Sequence, residues 1–437
     1  MAGQKIQAQL TPEEKLQQAL VPTAEQPYKV PANWCWTRLG NVTNIIMGQS
    51  PNGGSITENE KDTPLIGGAA DMGEKYPEIK RYTNKPTKIS SDEDLIICVR
   101  ATLGKPIFSD GRYCLGRGVA AIRPLVGSRK LYKYFFLNFE QYLFDNATGT
   151  TFAQVNSNIL QKMPLALPPL AEQQRIVERI ESLFAKLDEA KENLQNVLDG
   201  FETRKAAILH KAFTGELTAN WRKQHGVSMD SWEEKALGKI VKNIKDKYEP
   251  TLNNKKCIKY IGLEHIEKNN GIIGFGSSDD VKSLKTIFEL GDILYGKLRP
   301  YLNKHDIAKF SGICSTDILV YRAEDFNTAK FINYFMNTEK FIFYTVSNSK
   351  GINLPRISEK EVSGILVNVP TLSEQSEIVR IIDDLLAKEQ QAKKLAENTF
   401  AKIDLIKKAI LARAFRGELG TNNPADEPAV ELLKRVL

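Results

Sequence analysis

The chain of 437 residues exceeds the length at which a single hydrophobic core usually stops growing, so we expect two or more domains. Hydrophobic residues make up 42% of it and charged residues 26%, a composition that excludes a largely disordered chain. The 60 Lys and Arg residues outnumber the 53 Asp and Glu residues and give a formal net charge of +7, which permits a polyanionic partner without requiring one.

The sequence also argues against a membrane or secreted protein. Its first 20 residues are polar and charged, and no apolar run is long enough to span a bilayer. The five cysteines lie far apart without a paired motif, which favours reduced thiols over disulfides. They are Cys35, Cys98, Cys114, Cys257 and Cys314. We therefore expect a cytoplasmic protein that has no membrane partner.

In chain order, a helical N-terminal segment over residues 1–30 precedes a first domain over residues 31–168. Short apolar runs in this domain alternate with Gly, Pro, Asn and Asp, and Leu95–Val99 and Val119–Ile122 are typical of buried strands. The aromatic-rich segment 131–144 is typical of an amphipathic helix. The pattern predicts a mixed α/β domain.

A long helix is predicted over residues 169–217. It follows Pro168 and Pro169, and its apolar residues recur every three or four positions, which is the period of a coiled-coil seam. Gly215 is a plausible stop signal at its end. Gly200 lies inside the helix, where glycine costs about 1 kcal/mol relative to alanine, and the sequence gives no reason for it.

The second half of the chain repeats this organisation. A linker over residues 218–231 leads to a second mixed domain over 232–370, a second long helix over 371–419 and a C-terminal tail over 420–437. Strands are predicted at Ile293–Tyr295 and Ile318–Tyr321, and a helix over 331–344. Residues 168–217 align with 370–419 without a gap, and 22 of the 50 positions are identical. The chain is therefore a tandem of two units.

Neither long helix can bury its apolar seam alone, so we expect the two helices to pack on each other. The residues predicted to form this contact are Ile176, Ile180, Leu183, Leu187, Leu194 and Phe201 in the first helix, and Ile378, Ile382, Leu385, Ile403 and Ile410 in the second.

Basic residues collect in the turns of both domains, as expected for a surface that binds nucleic acid, although any one of them could simply be solvated. Arg and Lys can hold phosphates or guanine edges, and Asn and Gln can recognise adenine. The candidates in the first domain are Gln49, Ser50, Arg81, Lys85, Lys88, Arg100, Lys105, Arg112 and Arg117. Those in the second domain are Lys297, Arg299, Tyr301, Lys304, Lys350, Asn353 and Arg356.

The glycine-rich segment from Gly48 to Gly54 has two interpretations: its backbone could approach a phosphate, or its glycines could be there for steric reasons alone. Motifs for nucleotide binding, for a nucleophilic serine and for metal binding are absent from the sequence. We therefore expect no catalytic residue, no metal site and no cofactor bound by this chain.

Two matched pairs of motifs carry a family resemblance. The segments PLAEQQRIVERI and LSEQSEIVRII begin the two long helices, and AILHKAFTGELT and AILARAFRGEL end them. Their pairing in one chain resembles the specificity subunits of type I restriction-modification systems, and the resemblance spans nearly the whole sequence.

The resemblance implies an α+β fold in which two α/β target-recognition domains are separated by two long antiparallel helices that form a coiled coil. It also implies a circular arrangement with approximate two-fold symmetry, in which the two chain ends lie near each other. Each domain would bind one half of a split, asymmetric site in double-stranded DNA, and the helices would fix the spacing.

Further partners also follow from the resemblance. Two modification subunits would bind S-adenosylmethionine and methylate adenine, and two restriction subunits would use ATP and Mg for translocation and cleavage. Two alternatives remain open at this point. The chain could be a helical scaffold that assembles partners without binding DNA, which a salt series would test, or an enzyme with an unrecognised site.

Overall fold

The computed structural model describes residues 11–149, 153–250 and 258–437, whose contacts divide the chain into two compact units. The first unit takes the chain up to Asn193 together with Thr399–Leu437, and the second unit is Leu194–Asn398. Each unit therefore contains one mixed domain and a part of each long helix. Cys257 lies outside the described residues, and the other four cysteines are buried free thiols.

The helices alternate with strand-rich segments as the sequence predicts. In chain order they are α1 Pro12–Ala19, α2 Leu39–Val42, α3 Arg129–Asn138, α4 Glu140–Asp145, α5 Ser157–Lys162, α6 Leu170–Asp199, α7 Phe201–Phe213, α8 Ala219–His225, α9 Phe326–Phe335, α10 Glu339–Ser347, α11 Glu359–Ser363, α12 Leu372–Phe415 and α13 Ala429–Lys434. The predicted aromatic helices are thus confirmed, each as a pair, α3–α4 and α9–α10.

The strands are short. Those of the first domain are β1 Cys35–Arg38, β2 Thr43–Met47, β3 Ile56–Thr57, β4 Thr63–Ile66, β5 Tyr82–Thr83, β6 Leu95–Cys98, β7 Gly104–Phe108, β8 Cys114–Leu115, β9 Val119–Pro124 and β10 Pro164–Leu167. Those of the second are β11 Glu233–Ala236, β12 Lys242–Ile244, β13 Lys247–Tyr248, β14 Lys259–Ile261, β15 Ile266–Glu267, β16 Gly271–Ile272, β17 Gly276–Ser277, β18 Lys285–Phe288, β19 Ile293–Gly296, β20 His305–Ile307, β21 Gly312–Cys314, β22 Ile318–Arg322 and β23 Leu366–Val369. The four predicted buried strands are confirmed as β6, β9, β19 and β22.

The two domains share their central sheet. In the first domain the strand order is β2-β9-β6-β7, and in the second it is β12-β22-β19-β20, with antiparallel pairing throughout. The inner strand β6 is buried on both faces, which explains its continuous apolar sequence. A two-stranded ribbon joins the ends of each domain, β1 with β10 and β11 with β23.

The domains differ in their second sheet. The first domain has the order β3-β5-β4-β8, and the second has five strands in the order β13-β18-β21-β14-β17. The sequence repeat is strongest in the long helices and weakens upstream of them. The sheets that differ therefore lie in the part of each repeat whose sequences diverge.

Within the first unit the two long helices run antiparallel. The ammonium of Lys191 lies 3.1 Å from a carboxylate oxygen of Asp404, and Lys407 pairs with Asp188, so residue numbers rise along one helix as they fall along the other. The Lys407 ammonium also lies over the Phe184 ring. The predicted packing of the two helices is confirmed in this unit.

The second unit has its own antiparallel contact. Arg204 Nε lies 2.8 Å from Glu389 Oε2, and the Lys393 ammonium lies over the Phe201 ring. Gly200 separates α6 from α7, although its amide and carbonyl still continue the helical hydrogen bonding. A Cβ atom on Gly200 would lie 2.5 Å from Nη1 of Arg204. The glycine therefore leaves room for Arg204 to fold back along the helix and reach Glu389.

The predicted helix-contact residues fall into two groups. Ile176 and Ile180 belong to the core of the first domain, and Ile378 and Ile382 to that of the second, so the start of each helix packs on its own domain as well. Of the remaining residues, Ile403 is buried and the others are half-buried, namely Leu183, Leu187, Leu194, Phe201, Leu385 and Ile410. The helices end at Phe213 and Phe415. Gly215 and Gly417 follow with positive φ of 82° and 74°, which confirms the predicted stop at Gly215 and shows the same ending in the second repeat.

A buried glutamate lies in the first turn of each long helix. Glu172 accepts hydrogen bonds from Trp34 Nε1 at 2.7 Å, from Asn422 Nδ2 at 2.8 Å and from Thr421 Oγ1 at 3.1 Å. The indole of the tryptophan that precedes the first strand thereby anchors the domain to the helix. The C-terminal tail completes the hydrogen bonding of the same carboxylate.

Glu374 holds the matching position in the second unit. It accepts hydrogen bonds from Trp232 Nε1 at 3.0 Å, Thr218 Oγ1 at 2.7 Å and Arg222 Nη1 at 2.5 Å. The linker between the two repeats thus donates hydrogen bonds to Glu374, as the C-terminal tail does to Glu172. Only the second glutamate of the two has an arginine as its buried partner.

The two ends of the chain meet in the first unit, as predicted. Helix α1 packs on α13, the Lys15 ammonium donates to the Leu437 carbonyl at 3.2 Å, and the Ala429 amide donates to the Asn33 carbonyl at 2.9 Å. Residues 1–10 of the predicted N-terminal segment lie outside the described residues.

Candidate nucleic-acid interface

The loops that follow the two central strands share two unusual backbone positions. Ala101 and Lys105 follow β6 with φ of 60° and 43°, and Arg299 and Asn303 follow β19 with φ of 52° and 41°. Each pair lies at the same distance beyond its strand, although the side chains are unrelated. Because a positive φ is uncommon for residues other than glycine, its occurrence at both equivalent positions shows that these two features of the loop are repeated.

A hairpin between the helices of each domain supports this loop. In the first domain Gln154 forms bridges with Thr148 and Arg100, and the Ala101 amide donates to the Ala153 carbonyl at 2.8 Å. Gly149 begins the hairpin with φ of 104°. Residues 150–152 lie outside the described residues.

The second domain forms the same supported hairpin. Arg356 bridges Lys350 and Leu298, the Arg299 amide donates to the Pro355 carbonyl at 2.7 Å, and Gly351 has φ of 105°. We call the strand-following loop and its hairpin together the loop–hairpin surface. It is residues 100–105 with 148–149 and 153–154 in the first domain, and residues 298–303 with 350–356 in the second.

Five predicted residues of the first domain lie together on another surface, which we call the Ser50 surface. The Arg117 amide and Nε both donate to Ser50 Oγ, at 3.2 and 3.3 Å, and the amide of Gln49 donates to the Leu115 carbonyl at 2.8 Å. The Leu115 amide in turn donates to the Lys88 carbonyl, and Lys85 is exposed on the same loop. Arg117 and both lysines are exposed and can meet an anion.

The glycine-rich segment beside them has a steric role at its start. The Gly48 amide donates to the Val119 carbonyl at 3.0 Å, and a Cβ atom on Gly48 would lie 2.1 Å from the Gly116 carbonyl oxygen. The amides of Gly48 and Gln49 are both bound within the domain. Of the two interpretations of this segment, the structure supports the steric one at Gly48.

The other predicted residues of the first domain are more dispersed. Arg81 is half-exposed and lies 3.4 Å from the buried carboxylate of Asp71. The Lys105 ammonium donates to the Met72 carbonyl at 2.9 Å. Arg112 is exposed before β8 and Arg117 after it, so these two arginines are at opposite ends of that strand. Arg100 belongs to the loop–hairpin surface.

Six predicted residues of the second domain belong to or flank its loop–hairpin surface: Lys297, Arg299, Tyr301, Lys350, Asn353 and Arg356. The Arg356 guanidinium pairs with Asp317 at 2.8 Å, and the Lys297 amide donates to the Asp317 carbonyl. Tyr301 is 47% exposed in a short helical turn of this loop. Lys304 is turned away, because its ammonium donates to the Leu263 carbonyl at 2.7 Å.

The loop–hairpin surface of the second domain carries an excess of positive charge. Burial lowers the pKa of Lys297, Asp317 opposes that effect, and Arg356 and Lys247 reinforce it. Three cationic side chains thus lie close to one carboxylate. A phosphate group would relieve their mutual repulsion, which is the electrostatic condition for binding a nucleic-acid backbone.

Buried ion pairs at the start of the central strand hold each sheet. Asp94 accepts hydrogen bonds from Arg123 Nε and Nη2 at 2.7 and 3.0 Å. Asp292 accepts hydrogen bonds from Arg322 Nε and Nη2 at 2.7 and 2.8 Å. Both carboxylates are buried. These two arginines serve the fold rather than a ligand.

Sequence reasoning missed Gln154 and the acidic partners Asp71 and Asp317. Gln154 could have been found from the repeat alignment, which places it on Arg356 once Gly149 is placed on Gly351. The acidic partners gave no signal, because they are distant in sequence from the arginines that they hold.

The described part of the chain gives no evidence of a metal or membrane site. Within it, His, Cys, Asp and Glu side chains do not gather in groups of three or more that could hold a metal ion. Every helix in the same ranges is too short or too polar to cross a bilayer.

Comparison with known proteins places these features in a family. The type I restriction modification DNA specificity domain matches residues 31–199 and again residues 229–398. The chain is 27% identical over 429 residues to the EcoDI specificity subunit of Escherichia coli and 24% identical over 453 residues to the EcoKI specificity subunit of Escherichia coli K12. Each of these alignments covers 92% of both proteins.

Solved structures show the same fold. The HsdS subunit of Thermoanaerobacter tengcongensis aligns with a TM-score of 0.65 and 19% identity, over 91% of this chain and all of that one. A chain from a structure that addresses complex assembly and conformational transition of the type I R-M system aligns with a TM-score of 0.66 and 18% identity, over 90% of this chain and all of that one. With both domains matched by the family and the fold shared along nearly the whole length, this chain belongs to the specificity subunits of type I restriction-modification systems.

Proposed function

We propose that each domain recognises one half of a bipartite, asymmetric site in double-stranded DNA and that the long helices set the number of base pairs between the halves. One observation carries this proposal: the loop–hairpin surfaces of the two domains share their positive-φ positions and their bridge pairings but carry different side chains. Arg100 and Gln154 occupy the positions that Leu298 and Arg356 occupy in the second domain. Two unlike surfaces of one design suit two unlike half-sites.

The helices are suited to such a spacing role. Each unit contains its own antiparallel contact between them, through Asp188 and Lys407 in the first unit and Arg204 and Glu389 in the second. Helix α6 begins in the first unit and ends in the second, and α12 does the same in reverse. A continuous helix transmits a fixed length because each residue adds 1.5 Å.

The chain acts in this proposal as a non-catalytic subunit in the cytoplasm. Two modification subunits would bind S-adenosylmethionine and methylate adenine within the recognised site, and two restriction subunits would use ATP and Mg to translocate and cleave. The name that the relatives carry, specificity subunit, supports this division of labour.

Domain exchange tests the proposal. Residues 31–168 are replaced by the corresponding domain of a relative, the complex is produced in a host, and methylated adenines are mapped along the genome. We expect one half of the methylated site to change while the other half and the spacing stay the same. The matched exchange of residues 232–370 should change the opposite half. A result in which both halves change, or neither does, contradicts the proposal.

A further inference from the structure

The hairpin of the second domain presents apolar side chains at its tip. Ile352 is 100% exposed and Leu354 is 55% exposed, while the flanking Lys350 and Arg356 are also exposed. An exposed apolar residue is unremarkable when scattered, but here two of them share the tip of a basic hairpin. Neither contributes to a core of its domain.

The base of this hairpin is held in place. Lys350 and Arg356 exchange two backbone hydrogen bonds of 2.9 and 2.8 Å, and the Arg299 amide fixes the Pro355 carbonyl from the neighbouring loop. Gly351 has φ of 105°, and a Cβ atom there would lie 3.1 Å from the Leu354 carbonyl oxygen. A hairpin whose base is fixed before binding loses less conformational entropy when it meets a partner than an unpaired loop would.

The charge around the tip indicates the class of that partner. Arg299, Lys350 and Arg356 belong to the same surface, and Lys297 lies beside it. Such a ring of cations attracts a phosphate backbone on both sides of the tip. A groove of double-stranded DNA offers phosphates at its edges and base edges at its floor.

The width of the hairpin selects the groove. Paired strands lie about 4.8 Å apart, and with side chains a two-stranded ribbon is roughly 10 Å wide. It fits the major groove, about 12 Å wide, and exceeds the minor groove, about 6 Å wide. The apolar group exposed on the floor of the major groove is the C5-methyl group of thymine.

We propose that the tip of this hairpin enters the major groove and that Ile352 and Leu354 contact thymine methyl groups, with Lys350 and Arg356 on the flanking phosphates. This inference rests on the proposed DNA recognition and names the residues that would determine part of one half-site. It assigns sequence discrimination to two apolar side chains, which a search of the sequence for basic residues does not find.

The test removes the proposed contact from the DNA, by taking away thymine methyl groups, and separately from the protein, by truncating Ile352 and Leu354. The full-length chain, assembled with its modification subunits, selects its preferred site from a library of random-sequence duplexes. Each thymine of the selected site is then replaced by deoxyuridine, which lacks only the C5-methyl group. For the unaltered chain we expect at least one replacement in one half-site to lower affinity about fourfold, since a buried methyl group contributes about 0.8 kcal/mol.

The double variant Ile352→Ala and Leu354→Ala should bind thymine and deoxyuridine duplexes equally, with an unchanged dependence on salt because its phosphate contacts remain. Leu290→Ala is the matched control. Leu290 is 68% exposed but precedes the central strand β19, whereas the recognition loop follows that strand. This variant should discriminate as the unaltered chain does.

The outcomes separate the two proposals. If the unaltered chain selects no sequence, DNA recognition by this chain is wrong and the tip contact falls with it. If the unaltered chain selects a site that lacks thymine in both halves, the tip proposal alone is wrong. The tip proposal alone is also wrong if replacement of thymine by deoxyuridine lowers the affinity of the unaltered chain and of the double variant equally. A double variant that folds but no longer assembles with its modification subunits would show that the tip contacts a protein subunit instead, and the tip proposal would be wrong.

Discussion

The two buried glutamates at the helix starts give a prediction in which one substitution has two different effects. Replacement of Glu374 by Gln leaves the Arg222 guanidinium, a residue only 7% exposed, without its carboxylate. Removing one partner of a buried ion pair costs about 3–5 kcal/mol. Glu172→Gln removes a carboxylate whose partners, Trp34, Thr421 and Asn422, are all neutral, so we expect a cost of about 1–2 kcal/mol.

Hydrogen exchange followed by mass spectrometry measures this difference locally, which matters because a chain of two units need not unfold in one step. In Glu374→Gln we expect faster exchange in the first turns of α12, and in Glu172→Gln we expect faster exchange in the first turns of α6. The increase in the first variant should be at least about 30-fold larger than the increase in the second, which corresponds to about 2 kcal/mol. Adding Arg222→Met to Glu374→Gln should restore part of the protection. Equal effects of the two glutamine variants would refute the argument that Arg222 makes the difference.

Two further predictions concern stability. Gly200→Ala should raise the free energy of unfolding by about 1 kcal/mol in a chain that also carries Arg204→Ala. The gain should be clearly smaller when Arg204 is present, because the new methyl group displaces the guanidinium from Glu389. Denaturant titration with and without Arg204→Ala measures both gains, and equal gains would contradict this reasoning. His305 is buried, burial lowers its pKa, and its Nδ1 lies 2.8 Å from Asn333 Oδ1. Because the unfolded state binds the extra proton, the free energy of unfolding should fall by up to about 1.4 kcal/mol per pH unit as pH drops below roughly 6.5, and His305→Gln should lack that component of the slope.

The sequence predicts the repeated parts of the fold well. Periodicity identified the long helices, continuous apolar runs identified strands β6, β9, β19 and β22, and glycines marked the helix ends. These features depend on local sequence, so one chain is sufficient to find them. The small outer sheets were not predicted, because strands of two or three residues such as β5 and β15 have too few positions to show an alternation.

The candidate interface was predictable by composition but not by arrangement. Listing basic residues in turns included Arg299 and Arg356, which the structure brings onto one surface, and also Lys304, whose ammonium is bound to a backbone carbonyl. Only tertiary structure distinguishes these cases, since each lysine or arginine looks alike in sequence. The same reasoning overlooked Ile352, because an apolar residue is assigned to a core until its exposure is known.

The separation between framework and surface explains how two domains of one design can recognise different sequences. The framework is buried: Asp292 and Glu374 are about 1% exposed or less, and loss of Glu374 leaves the buried Arg222 without its carboxylate. The candidate recognition residues are exposed, and Ile352 at 100% exposure can change with little effect on stability, since surface substitutions usually alter it by less than about 0.5 kcal/mol. Under the proposed function, we therefore expect substitutions at the loop–hairpin surface to alter what a domain binds without altering whether it folds. Each domain can diverge independently, because its framework contacts lie within its own unit.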